Sequence, residues 1–548
     1  MAEDIKLTLP DLFSETVRKH GKRDALAFAG EKPRTYEELN REIRSLMAYL
    51  ESMGVKSGDK VAILSANMPN WGITYLAATF MGAVAVPLLP DFHPNEISHI
   101  LNHSESGVLF VSKGLLNKVS TENKPHLEHM IRIDDFTPLT ADKGTPYFNP
   151  VAEPEHSYQV DEQQPASIIY TSGTTGKSKG VVLSHKNIAF TATKVLKIQE
   201  VLPGDRFLSI LPLSHTYENT LGFIIPMFNG ACVYYLSKPP TPAILLPALK
   251  KVKPTLMLSV PMVIEKIYRT KVLPGLTGKW YMRMLYQLPP VRKKLHQVAG
   301  QKLMQTFGGQ LRFFGIGGAK LNHQVEKFLR EARFPYAIGY GLTETAPLLA
   351  GTNAENTQLQ STGPAMEGVE LKINNPDPLT GEGEIWARGD NVMMGYYKEP
   401  QLTRDVITED GWFKTGDLGV LDSNNFLYIK GRLKNMIVGE NGENIYPEEI
   451  ESVINNFKHV VESLVVRKKG KLVAMVHFNK EEIIQKYQEL REEMHQYAET
   501  KVEELRQELR DYINARVNRF SRVQTIFIQN EPFQKTATHK IKRYLYNR

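Results

Sequence analysis

The residues of this chain best suited to chemistry begin in one stretch, YTSGTTGKSKGVVLSH, Tyr170 to His185. It follows Ser167, Ile168 and Ile169, a short β-branched run, so a strand is expected first and then a loop crowded with Gly, Ser, Thr and Lys. Such a loop can hold phosphate. Gly173, Gly176 and Gly180 would let the backbone turn and come close to an anion. The hydroxyls of Thr171, Ser172, Thr174 and Thr175 and the ammoniums of Lys177 and Lys179 would then surround a polyphosphate. The Walker pattern is excluded, because it needs Gly five positions before its Gly-Lys pair and Thr171 stands there. On composition alone, a plain turn explains the stretch more simply.

Further candidate groups follow downstream. LPLSHTYENTLG, Leu211 to Gly222, carries His215 beside Tyr217, a pair that ordinary packing would also explain. LRFFGIGGAKL, Leu311 to Leu321, reads as strand and then Gly-rich turn, and Gly317, Gly318 and Ala319 have no side chain that could block a flat base. In GYGLTETAP, Gly339 to Pro347, Tyr340 lies between Gly339 and Gly341 and could stack on a base or fill core. Thr343 offers a hydroxyl, and Glu344 a hard oxygen ligand of the kind magnesium prefers. Asp417, in GWFKTGDLG, would ordinarily be a turn carboxylate, and Lys535 and Lys540 in the tail would ordinarily be solvated.

In order and spacing these strings resemble the adenylate-forming superfamily, which holds acyl-CoA synthetases, firefly luciferase and the adenylation domains of peptide synthetases. The resemblance covers nearly the whole chain. It implies a loop of Thr171, Ser172, Gly173, Thr174, Thr175, Gly176 and Lys177 that clasps the β- and γ-phosphates of ATP while a carboxylate attacks the α-phosphorus. Adenine would lie against Gly317, Gly318, Ala319 and Tyr340, with Gly341 beside them. Thr343 would meet the α-phosphate, Glu344 would hold Mg²⁺, and Asp417 with Arg432 would take the ribose hydroxyls. His215 would border the acyl pocket. Lys434 matches the family's hinge, Gly442 its pantetheine channel and Lys540 its adenylation lysine, with Lys535 as the rival. Three positions depart from the common pattern: Asn435 replaces an acidic residue, Gly442 arrives one residue late, and His539 replaces a glycine. The late glycine and the string VPMVIEKIY, Val260 to Tyr268, also occur in the long-chain branch.

The elements that must position these groups are legible as an α/β pattern. Thr35 to Met53 reads as a helix, with a Thr35/Glu38 capping box, an apolar stripe at Leu39, Ile43, Leu46 and Leu50, and Gly54 after it. Apolar runs at Val61 to Leu64, Ala83 to Leu88 and Val108 to Val111, with helical patterns at Ile73 to Met81 and Pro94 to Asn102, argue for a parallel sheet. Met130 to Pro165 is proline-rich and polar, which suits a surface connection. A large multi-sheet domain, residues 1–431, and a small mobile α+β domain, residues 432–548, are expected. In the small domain Glu481 to Val517 reads as an amphipathic helix, broken near Thr500 and packed on its sheet.

With 548 residues, 42% hydrophobic and 23% charged, the chain is long enough for more than one core and ordinary in its balance. One cysteine, Cys232, excludes an internal disulfide, and no zinc-type cluster is present. The N-terminus lacks the basic and apolar regions of a signal peptide and no apolar run is long enough to span a bilayer, so a reducing, cytoplasmic setting is expected. A net charge of +7 suits anionic partners, and without a nucleic-acid motif ATP and coenzyme A are the natural ones. The basic segment Thr277 to Gln305 reads as a solvated helical insertion, with peripheral docking on anionic lipid as the alternative. The resemblance implies an acid–thiol ligase acting on a fatty acid or other carboxylic acid. Coenzyme A is the expected acceptor and an acyl carrier protein the alternative. Medium-chain or aryl acids, and a nucleotide-binding protein without turnover, remain open.

Overall fold

The structure is a computed structural model that describes residues 7–120, 126–141, 144–171, 178–438, 443–468, 470–479, 494–536 and 540–547. The chain divides into two compact units. The first comprises Met1–Lys372, Trp386–Thr415 and Leu421–Tyr428; the second comprises Ile373–Ile385, Gly416–Val420 and Ile429–Arg548. Asp417 and Arg432 therefore fall in the same unit as the tail.

Two large sheets build the first unit. One runs in the order Gly395–Tyr396, Lys179–Ser184, Pro165–Thr171, Val84–Leu88, Lys60–Leu64, Val108–Val111, His129–Arg132 and Thr137–Pro138. Its central strands pair in parallel. Val61–Leu64, Val84–Leu88 and Val108–Val111 are buried on both faces, which is why they read as continuous apolar runs rather than as alternation. The helix Tyr36–Ser52 starts on Thr35 with both bonds of the capping box in place, and Gly54 follows with φ +78. The helices Pro69–Phe80 and Pro94–Ser104 return the chain between parallel strands, as the pattern requires.

The reading of Met130 to Pro165 as mere surface connection needs correction. His129–Arg132 and Thr137–Pro138 add two strands to the sheet, and Ile131, Ile133 and Phe136 are buried in its core. Strands of four and two residues are too short to leave a readable period among prolines.

The second sheet runs Tyr336–Ile338, Phe313–Ile316, Leu256–Ser259, Arg206–Ser209, Cys232–Tyr235, Asp24–Phe28 and Arg34–Thr35. All neighbours are parallel except the last pair. Val369–Asn374, Gly383–Gly389, Phe413–Leu421 and Leu427–Arg432 form a further four-stranded sheet.

In the second unit Val460–Lys468, Lys471–Phe478 and Thr525–Gln529 form a three-stranded sheet. Leu505, Leu509 and Ile513 of the helix Met494–Asn514 share its core with Ile450, Ile454, Val465 and Val476. That helix runs through Thr500 without the expected break, since it contains neither Gly nor Pro to interrupt its hydrogen-bond ladder. Residues 480–493 lie outside the described residues.

Candidate active site

The strand Pro165–Thr171 is followed by an antiparallel partner, Lys179–Ser184, so the phosphate-type loop closes a hairpin. Thr171 pairs with Lys179 and Tyr170 with Gly180. Ser172, Gly173, Thr174, Thr175, Gly176 and Lys177 lie outside the described residues. The stem itself demands glycine at one point: a Cβ on Gly180 would stand 2.7 Å from Ile168 Cγ2.

Glu344 is tied to this hairpin through one aromatic ring. Lys179 Nζ lies 3.9 Å from the centre of the Tyr396 ring, and the Tyr396 hydroxyl donates to Glu344 Oε1 at 2.9 Å. Gly395–Tyr396 is itself a strand paired to Lys179–Ser184, so ring and hairpin share one sheet edge. The backbone of the Thr343–Thr345 turn is held as firmly. Met393 N–H donates to the Glu344 carbonyl at 2.9 Å, and the Asn391 amide donates to the carbonyls of Thr345 and Leu348 at 3.1 and 2.8 Å. Thr343 is buried in the same corner. Tyr396 escaped the sequence reading; its string, MGYYKEP, offered only two tyrosines between Gly395 and Lys398 as a signal.

Among the described residues no group of three or more His, Cys, Asp or Glu could cage a metal. One fixed carboxylate tied through Tyr396 to Lys179 nevertheless fits Mg²⁺. That ion commonly takes one or two protein carboxylates and completes its shell with phosphate oxygens and water.

The expected adenine residues sit where open parallel sheets usually bind ligands, at the carboxyl ends of strands. Phe313–Ile316 and Tyr336–Ile338 are neighbours, with Ile316 opposite Ile338, and they lead into Gly317–Ala319 and Gly339–Gly341. Gly317 N–H donates to the Ser259 carbonyl at 3.1 Å, and Gly339 N–H to Ile316 at 3.0 Å. Gly318, at φ +85, and Ala319 are exposed. Gly341 has a structural reason of its own, since a Cβ there would fall 1.8 Å from the Pro347 carbonyl oxygen. Tyr217 packs against the first of these turns: a Cβ on Gly317 would lie 3.1 Å from Tyr217 Cζ.

His215 and Tyr217 follow the end of Arg206–Ser209 and enter a π-helix, Tyr217–Ile224, a widened turn often found at functional sites. His215 Nδ1 accepts from the Tyr217 backbone N–H at 3.2 Å, which assigns the ring proton of neutral His215 to Nε2. Glu218 is buried, and its Oε2 has no hydrogen-bond partner among the described residues. Burial pushes its carboxyl up to about 8, with a Ser209 hydrogen bond pulling the other way. At neutral pH Glu218 therefore carries its proton. Gly222 makes room for it: a Cβ there would stand 2.7 Å from Glu218 Cδ.

In the second unit Arg432 Nε stands 2.8 Å from the carboxylate of buried Asp417. Guanidinium and carboxylate thus form an ion pair within one unit. Lys434 lies exposed in the turn Leu433–Asn435, and the Asn435 amide donates to Glu448 Oε1 at 2.7 Å, so the departure at Asn435 has a structural partner. Gly442 and His539 lie outside the described residues.

The tail folds back on itself: Lys535 bridges Ile541, Thr536 N–H donates to the Lys540 carbonyl at 2.8 Å, and Lys540 N–H to Thr536 Oγ1 at 3.2 Å. Lys535 Nζ lies 2.5 Å from Glu462 Oε2, whose other oxygen accepts from Phe533 N–H at 2.8 Å. Arg543 pairs with Glu451, whose burial raises its carboxyl while Arg543 opposes the rise. Lys535 is bound to Glu462 at the base of the turn, and both lysines are exposed.

Comparison with known proteins identifies the family. Residues 13–397 match the family described as AMP-binding enzyme. A long-chain-fatty-acid–CoA ligase of Drosophila melanogaster is 30% identical over 494 residues, covering 82% of this chain and 72% of that one. A chloroplastic long-chain-fatty-acid–[acyl-carrier-protein] ligase of Arabidopsis thaliana is 28% identical over 562 residues, 86% of this chain and 76% of its own. Among solved structures, o-succinylbenzoate–CoA synthetase of Bacillus subtilis in complex with its acyl-adenylate superposes with a TM-score of 0.76 at 23% identity, over 98% of each chain.

Proposed function

The chain belongs to the AMP-binding enzyme family, and from that premise we propose that it is an ATP-dependent acid–thiol ligase. It activates a long-chain fatty acid as the acyl-adenylate and passes the acyl group to coenzyme A. The observation that carries this reading is the link from the phosphate-type hairpin through Lys179 and Tyr396 to Glu344. It ties the two parts of the chain that ATP would need together.

In the first half-reaction Thr171 and residues 172–177 bind the β- and γ-phosphates, and Gly317–Ala319 with Tyr340 and Gly341 receive adenine. Thr343 meets the α-phosphate, Asp417 and Arg432 orient the ribose, and His215 borders the carboxylate. Mg²⁺, when bound at Glu344, supplies charge neutralisation on the phosphates. Lys540 stabilises the charge that develops as the carboxylate attacks the α-phosphorus, an electrostatic task without proton transfer. Pyrophosphate leaves. In the second half-reaction the small unit turns about Lys434, withdraws Lys540 and presents the Gly442 segment, along which the thiol reaches the mixed anhydride. AMP leaves as the thioester forms.

The long-chain assignment draws on the Drosophila relative. A carrier-protein acceptor is the second reading, favoured by the Arabidopsis relative. ATP–pyrophosphate exchange driven by palmitate, octanoate and benzoate tests the acid. Palmitate should exceed benzoate by at least about tenfold, the discrimination a few buried methylenes provide. Exchange with none of the acids would contradict the ligase reading, and coenzyme A against holo-carrier protein as acceptor separates the two thiols.

A further inference from the structure

A helix of the first unit rich in large apolar side chains buries none of them. Trp280–Gln287, WYMRMLYQ, has no buried residue although six of its eight are aromatic, Met or Leu. A surface helix ordinarily turns its apolar stripe to the core. Here Trp280 is 74% exposed, Met284 64%, and Leu288, which ends the helix, 52%. Spaced four apart, the three share one face. The opposite side is what fastens the helix: Tyr286, two residues from Met284, places its hydroxyl 2.8 Å from His296 Nε2.

The surrounding charge is one-sided. Residues 266–302 contain nine Lys and Arg and no Asp or Glu, an excess larger than the net +7 of the entire chain. Arg292 is engaged by Glu331, at 3.1 Å. Lys279, Arg283, Lys293 and Lys294 are all exposed, within or beside the apolar helix.

We propose that this helix and its basic flanks form a docking surface for an anionic phospholipid bilayer. Trp280, Met284 and Leu288 enter the boundary between headgroups and acyl chains, while Lys279, Arg283, Lys293 and Lys294 meet lipid phosphates. Charge complementarity selects an anionic surface, and the side-chain chemistry selects lipid over nucleic acid. Met and Leu cannot stack on or pair with a base, and a polynucleotide would leave them hydrated. The inference stands on this surface and does not depend on which acid the enzyme activates. If both hold, a fatty acid dissolved in the bilayer lies next to the protein that consumes it.

The test sediments the full chain with vesicles of phosphatidylcholine alone, and with vesicles in which phosphatidylglycerol replaces part of it. The native chain should partition to the anionic vesicles at least about tenfold better, and added salt should weaken the binding. Trp280→Ser with Met284→Ser, and separately Lys293→Gln with Lys294→Gln, should each lower partitioning by about tenfold. Exchange activity with a water-soluble acid should stay within about twofold, since none of these residues lies in the proposed site. Brominated lipid should also quench native fluorescence, with that quenching absent in Trp280→Phe, a readout that does not depend on the paired variants folding. Equal binding to neutral and anionic vesicles, retention on polyuridylate without vesicle binding, or self-association lost in the Trp280/Met284 pair would each overturn the proposal.

Discussion

Glu344 and Lys540 carry opposite charges in the proposed adenylation and are held in opposite ways. Glu344 has its backbone pinned by Met393 N–H and its side chain met by the Tyr396 hydroxyl, inside a corner that also buries Thr343. Lys540 stands exposed on a short folded-back tail, and the tail is fastened by neighbours, Lys535 to Glu462 and Arg543 to Glu451. A group needed in one place throughout turnover gains from rigid support, because preorganised charge costs no rearrangement at the moment of reaction. A group needed in only one half-reaction gains from being carried on a rigid piece that can leave. The contrast teaches that the anchors of the tail, rather than Lys540 itself, set where the cation can go.

The sharpest way to break this contrast is to remove the fixed charge. Glu344→Gln should lower ATP–pyrophosphate exchange by roughly 100- to 1,000-fold, and a loss below about tenfold would mean the corner is structural only. Next in size is Tyr396→Phe, which deletes one bond to the carboxylate and leaves the ring beneath Lys179. Its apparent Mg²⁺ requirement should rise roughly tenfold, as for other residues that orient a metal ligand. An unchanged requirement would disconnect Tyr396 from the site.

A smaller effect is expected on the other side of the comparison. Lys535→Gln strips the cation from Glu462, a carboxylate only 11% exposed, and should cost about 1–3 kcal/mol of stability in a denaturant titration of the second unit. Exchange should fall only a few-fold. A loss matching that of a Lys540 variant would make Lys535 the adenylation lysine.

The smallest effect concerns Glu218. Its folded carboxyl titrates near 8 and its unfolded one near the ordinary 4.5. The folded state therefore holds the extra proton between those values, and native stability contributed by the neutral form is lost as pH rises through that window. Glu218→Gln has no proton to lose. Its melting temperature relative to native should be higher by a few degrees at pH 9 than at pH 5, and equal differences at both would contradict the buried, protonated assignment.

Much of this site was legible because its chemistry is local in sequence. Gly317–Ala319 follows a run that reads as a strand, so its place at a strand end could be read from the sequence, whereas the three-residue strand Tyr336–Ile338 before Gly339–Gly341 could not. The capping box at Thr35 and Glu38 was readable for the same reason, since its partners are three residues apart. What escaped is non-local. Tyr396 reaches Glu344 across 52 positions, and Lys535 reaches Glu462 across 73, and no periodicity announces either contact. The π-helix at Tyr217–Ile224 was equally hidden. Its sequence is apolar enough for any buried helix, and only the fold shows that Glu218 and Gly222 have been made to fit each other.

The central claim is that one cation, Lys540, serves adenylation and is absent from thioester formation. Lys540→Ala tests it directly, with each half-reaction measured alone: acyl-adenylate formation from acid and ATP, then thioester formation from supplied acyl-adenylate and coenzyme A. The first should fall by at least roughly 100-fold and the second should stay within about threefold of native. Equal losses in both would contradict it.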